Sequence, residues 1–180
     1  PLMFAFTLAM FSGVFAASAY ANCQLVVEPA QSEWLIHYNP ITEDEASRSF
    51  DLAITNTGET PCMGRLQINL RGEGFGLGHN GVGERVPYVL IDEANGADLT
   101  PRTGQNARRI NNRPVHLSAG ERGLYRFNFA ATTPDSLNEG LYSQEIFVAI
   151  ENDDGHTLAE RPLTLGVQVP AAALMGLKGR

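Results

Sequence analysis

The side chains that could do chemistry in this chain are few and scattered. Two cysteines, Cys23 and Cys62, and four histidines, His37, His79, His116 and His156, make up its thiol and imidazole groups. Two cysteines cannot by themselves build a structural zinc site, which takes four nitrogen or sulfur ligands. No two histidines stand at i, i+2 or i+4, so they read as scattered surface or edge residues, although metal ligands can also come from distant strands. Gly76-Leu77-Gly78-His79-Asn80-Gly81 matches G-x-G-x-x-G. That motif signals dinucleotide binding only where it leaves a strand and opens a helix, and here a strand containing Pro87 follows. Glu43-Asp44-Glu45 and Asp153-Asp154 are acidic, but neither alternates oxygen ligands at the spacing of a calcium loop. They read as solvated loops. No carboxylate pair stands out for glycoside hydrolysis, and Trp34 is the one tryptophan that could stack a sugar ring. No Gly-x-Ser-x-Gly elbow, His-Glu-x-x-His or Walker sequence occurs. These residues point to no catalytic centre, no cofactor and no metal.

The composition narrows the class further. The chain has 180 residues, 43% of them hydrophobic and 18% charged, enough for one domain with a real core. Its net charge is −7, and Lys178 is the only lysine among the basic residues. Arg108-Arg109 is the densest basic cluster. An acidic chain without a basic face argues against a nucleic-acid partner.

Residues 1–21 read as an address. Pro1 to Ala21 carries no charge, is apolar from Leu2 to Phe11, and ends Ala19-Tyr20-Ala21, an A-x-A cleavage site. This is the apolar and cleavage region of a secretory signal peptide, expected to be trimmed at its start because no basic segment or Met precedes it. The run is shorter than the ~20 residues of a spanning helix. Asn22 is too large for the small residue that precedes a lipoprotein cysteine. Export carries the chain into an oxidising compartment, where two cysteines in a small domain are most simply one bridge. A Cys23–Cys62 bond would close a loop worth roughly 4 kcal/mol of chain entropy. A catalytic thiol is the alternative, but no neighbouring pattern would lower its pKa.

Behind these residues stands a scaffold of period two. Strands are expected near residues 24–28, 33–38, 49–56, 66–70, 86–91, 124–129, 142–150 and 163–169. Asn56-Thr57-Gly58, Asn95-Gly96 and Asp153-Asp154-Gly155 punctuate them as turns. No stretch shows a capped helical period. The expected fold is all-β: an antiparallel Ig-like, pilin-type β-sandwich of about 7–8 strands over residues 22–169. The glycine-rich segment 72–83 and the arginine-bearing segment 100–113 read as exposed loops. Phe75, Leu77, His79, Arg108 and Arg109 are therefore the candidate contact residues, by position.

Several short motifs occur in a telling order. Asn22-Cys23-Gln24-Leu25 opens the mature chain, and Ile54-Thr55-Asn56-Thr57-Gly58 leads to Pro61-Cys62. Arg85-Val86-Pro87-Tyr88-Val89-Leu90 is followed by Asp92, and Gly140-Leu141-Tyr142-Ser143-Gln144-Glu145 runs on into Ile146-Phe147-Val148-Ala149-Ile150. In this order the chain resembles the spore coat protein U family, secreted pilin-like subunits of archaic chaperone–usher pili. The resemblance spans about Cys23 to Ile150. It implies an Ig-like sandwich lacking one strand, supplied by a periplasmic chaperone and then by a neighbouring subunit, with an outer-membrane usher as a further partner.

Two departures shape the expectation. Cys23 follows cleavage almost at once, which leaves no donor segment and implies a tip position. The chain also continues past Ile150 into a further strand, expected to complete its own sandwich, and residues 170–180 read as a linker or the start of a second domain. The implied function is a secreted, non-enzymatic adhesion or assembly module of the cell surface. The alternative is a secreted sandwich with a ligand-binding or hydrolytic site.

Overall fold

The computed structural model describes residues 23–71, 74–79, 82–101, 113–132 and 138–171. The signal-peptide reading for 1–21, all but the first two residues of the linker reading for 170–180, and Arg108 and Arg109 lie outside them. Eleven strands stand among the described residues. They are β1 (Leu25–Pro29), β2 (Glu33–His37), β3 (Ala46–Asn56), β4 (Cys62–Asn69), β5 (Leu77–His79) and β6 (Val82–Val86), followed by β7 (Tyr88–Asp92), β8 (Arg113–Leu117), β9 (Arg122–Ala131), β10 (Gly140–Glu151) and β11 (Thr157–Val169).

Two sheets face each other. One has the order β1-β3-β9-β7; the other runs β2-β11-β10-β4-β8, with β5 on β10 and β6 on β5. Alternation dictates the packing. Phe50, Leu52 and Ile54 of β3 and Phe127 and Phe129 of β9 turn inward from the first sheet, and Ile146, Val148 and Ile150 of β10 meet them from the second. Trp34 of β2 crosses the interlayer and stacks on Phe50, with centroids 5.2 Å apart and planes 8° from parallel. Burial of each such ring contributes about 1.5–3 kcal/mol. Trp34 is only 1% exposed, so it is a core residue and offers no face to a sugar.

The expected sandwich is present, with more strands than the alternation revealed. The segment expected at 86–91 divides at Pro87: β6 belongs to the second sheet and β7 to the first. Segment 113–117, whose first residue closes the expected 100–113 loop and whose rest carries no expected strand, is β8 and pairs with β4 from Cys62↔Leu117 to Leu66↔Arg113. One strand pair, β2 with β11, is parallel, where only antiparallel pairing was expected. The cause is a sheet switch. The chain leaves the first sheet after β1, turns through residues 30–32, and joins the second sheet beside its last strand.

Candidate functional site

The second sheet has a slot between β2 and β10. Here β11 fills it. Leu163, Leu165, Val167 and Val169 alternate inward and are fully buried, as the period-two pattern of this segment requires. On one side β11 runs antiparallel along β10, from Gly140↔Val169 to Glu151↔Thr157. On the other it runs parallel to β2, from Thr164↔Glu33 to Gln168↔His37. The Tyr38 amide extends this second ladder by donating to the Gln168 carbonyl at 2.9 Å. Gly166 lets Leu35 and Leu141 close over the outer face of β11: a Cβ there would lie 3.1 and 3.2 Å from their Cδ1 atoms. The sandwich is thus completed by its own chain.

Cys23, just before β1, is bonded to Cys62 at the start of β4, with Cα atoms 5.5 Å apart. The bond ties one sheet to the other. Beside it the buried Asn56 closes the end of β3. Its Nδ2 donates to the carbonyls of Thr60 at 2.8 Å, Leu117 at 3.1 Å and Ser118 at 3.2 Å. At the flank opposite β1 and β2, Arg113 Nε lies 2.8 Å from Oδ2 of the buried Asp92 and joins β8 to β7.

Residues 75–79 of the glycine-rich segment are not exposed as expected. Leu77 is 0% exposed and lies in β5 against the core. Phe75 is partly buried and packs on Tyr88 with centroids 4.8 Å apart. His79 is half-buried and stacks on Tyr142 at 4.5 Å. The physical cause is Gln144, a core-facing polar residue of β10. Its Oε1 accepts from the Gly76 amide at 3.1 Å and the Tyr88 hydroxyl at 2.7 Å, and its Nε2 donates to the Gly74 carbonyl at 2.8 Å. These bonds draw the segment onto the sheet.

Sequence reasoning passed over Gln144, Asn56, Arg48 and Arg161. A polar residue at a core-facing position of an alternating strand is the available signal for each. Arg48 Nη1 donates to the Leu35 carbonyl of β2 at 3.2 Å, and Arg161 Nη1 donates to the Val27 carbonyl of β1 at 3.1 Å. Among the described residues, no group of three or more His, Cys, Asp or Glu side chains could hold a metal ion. The hollows beside β1, β2 and β11 are shallow and open.

No protein-family model matches the chain, and no curated protein matches it. Solved structures do. The CooA pilin subunit of enterotoxigenic Escherichia coli aligns with a TM-score of 0.54 at 9% identity, over 82% of this chain and 99% of that one. The CssB subunit of enterotoxigenic Escherichia coli colonization factor CS6, complemented with a donor strand from CssA, gives 0.42 at 12% identity, over 82% and 97%. Salmonella enterica SafA pilin in complex with the SafB chaperone gives 0.40 at 10%, over 81% and 55%. The likeness to CooA defines the fold as that of a pilin-type β-sandwich.

Proposed function

We propose that this chain is a secreted, non-enzymatic pilus-subunit or adhesin-type domain of an archaic chaperone–usher system of the spore coat protein U kind. It acts in surface attachment or fibre assembly. Residues 1–21 direct its export, and its partners are a periplasmic chaperone, an outer-membrane usher and a neighbouring subunit. The observation that carries this reading is β11, seated between β2 and β10 in a pilin-type sandwich. The family resemblance implies a slot kept open there for a donated strand, and strand addition of that kind draws its affinity from backbone ladders. A domain that fills the slot itself accepts no donor at this position. It is suited to the N-terminal position of a two-domain tip subunit, whose pilin-like domain would take the chaperone and the neighbouring subunit, and Arg108 and Arg109 stay among its candidate contact residues.

Two measurements test this. Immunogold labelling of cells producing the protein should mark surface fibres, chiefly at their ends; label absent from fibres overturns the pilus reading. Separately, a chain ending at Asn152 should aggregate, and a synthetic peptide of residues 157–169 should restore a soluble monomer. The intact chain should ignore the peptide. Stoichiometric uptake of the peptide by the intact chain would show an acceptor groove instead.

A further inference from the structure

A sandwich whose first strand changes sheets leaves two strand edges on one flank. The hydrogen-bond parity shows which backbone groups they present. Ala30 N–H donates to Asp51 O at 3.1 Å and Thr57 N–H to Gln24 O at 2.8 Å. With the register Val27↔Ile54, the even-numbered residues of β1 therefore bond β3, while Leu25, Val27 and Pro29 turn their backbone groups away. On β2, the Tyr38–Gln168 bond fixes the opposite set. Trp34 and Ile36 face β11, and Glu33, Leu35 and His37 face away. Among the described residues no strand pairs with either outward edge.

Both edges are nevertheless occupied, and in the same manner. Arg48 lies in β3 at the parity of Phe50, Leu52 and Ile54, a core-facing position. Its exposed side chain reaches over the open flank between the sheets and donates to Leu35 O, one of the outward carbonyls of β2. Arg161 lies in β11 at the parity of Leu163 and Leu165, again core-facing. Its side chain, also exposed, reaches over the same flank in the reverse direction and donates to Val27 O, an outward carbonyl of β1. Each sheet thus sends one guanidinium to the edge strand of the other. The prolines agree. Pro29 stands at an outward position of β1, and Pro162 at the side of β11 that lies just beyond the first β2 partner, Glu33↔Thr164. Neither has an N–H to offer.

We propose that Arg48 and Arg161 are edge guards, which keep the β1/β2 flank from pairing with the same flank of a second copy of this chain. Inward-pointing charges and edge prolines are recognised ways of blunting a sheet edge. A strand approaching β1 or β2 finds the carbonyl at the centre of each edge already bonded, and a cation standing where its backbone would lie. Stability alone does not account for the pattern. One long side chain capping its own strand's neighbour would satisfy either carbonyl, and here the two sheets exchange caps over their shared flank. The inference holds whether or not the domain serves a pilus, because it rests on this flank and not on the filled slot.

Sedimentation velocity on the full chain tests it. Wild type should remain monomeric over a wide concentration range. The double variant Arg48→Ala/Arg161→Ala should self-associate at least about tenfold more tightly, with its far-ultraviolet dichroism and melting still cooperative. Adding Leu35→Pro, which removes an outward N–H of β2, should reverse the association that runs through that edge. Val27→Pro does the same for β1. If the alanine pair fails to fold, Arg48→Gln and Arg161→Gln taken singly shorten each guard and open one edge at a time. Folded variants that stay monomeric overturn the proposal. So does association that persists when both prolines are added.

Discussion

Tyr88 and Gln144 hold each other across the core: the phenol of β7 donates to the carboxamide oxygen of β10 at 2.7 Å, from opposite sheets. Gln144 also grips the Gly76 amide and the Gly74 carbonyl, so one buried side chain fixes both the sheet-to-sheet spacing and the glycine-rich segment. Replacing it with leucine strands the Tyr88 hydroxyl and two backbone groups. The expected loss is about 2–4 kcal/mol, read from urea unfolding. Tyr88→Phe should cost only about 1 kcal/mol, because Gln144 Oε1 keeps the Gly76 amide.

The same phenol should govern the alkaline limit of the fold. Burial raises the Tyr88 pKa strongly, because the phenolate would lose its hydration. A pKa raised in the folded state gives stability that is complete below the unfolded value near 10 and is lost as pH climbs above it. Above about pH 10 the unfolded chain releases this proton and the folded one does not. Circular dichroism followed through alkaline titration should show a shallower loss of stability in Tyr88→Phe than in wild type, despite its lower starting point at neutral pH. Tyr125, also raised by burial but opposed by the charge of Arg113, supplies a smaller part of the slope that remains.

Gly76 and Gly155 both adopt positive φ, 120° and 82°, and they should respond differently to alanine. At Gly155, in the turn between β10 and β11, an added Cβ meets nothing within 4 Å. Only the backbone preference is lost there, about 1–2 kcal/mol. At Gly76 the Cβ would stand 2.6 Å from Arg85 Cβ and 3.2 Å from Val86 O, both fixed parts of the β6 backbone environment. Gly76→Ala should therefore cost clearly more than Gly155→Ala in thermal melts of the two variants. Equal costs would mean that the β5–β6 hairpin shifts freely.

These residues also show what is legible in the sequence. The alternation of Phe50, Leu52 and Ile54, and of Leu163, Leu165 and Val167, announces both sheets and the final strand, since a buried face needs an apolar residue at every second position. Glycine carries no such mark. β5 therefore passes for a loop, and Leu77 for a surface residue, until Gln144 is seen to draw the segment inward. Pro87 hides a change of sheet inside what reads as one strand. Arg48 and Arg161 are visible as charges out of phase with their strands, but their partners Leu35 and Val27 lie 13 and 134 residues away in sequence, across a sheet that only the fold assembles. The bridge between Cys23 and Cys62 is legible because two cysteines allow one pairing.

That bridge supports the last prediction. Its ends are 39 residues apart, and the loop they close contains the β1–β2 switch, all of β3 and the turn into β4. Cross-linking a loop of this size removes roughly 4 kcal/mol of entropy from the unfolded chain. The folded state keeps much of its local order without the bond, because Asn56 still joins the end of β3 to the turn at Thr60 and to Leu117 and Ser118. Cys23→Ser/Cys62→Ser should therefore fold to the same sandwich, yet unfold at a urea concentration lower by about 2 M, taking a dependence of about 2 kcal/mol per molar for a domain of this size. The slope of the transition should rise, since the uncrosslinked chain exposes more surface when it unfolds. A lower midpoint with an unchanged slope would place the loss in the folded state, at the junction of the two sheets, and a spectrum without sheet structure would mean that the Asn56 contacts cannot hold this end of the sandwich alone.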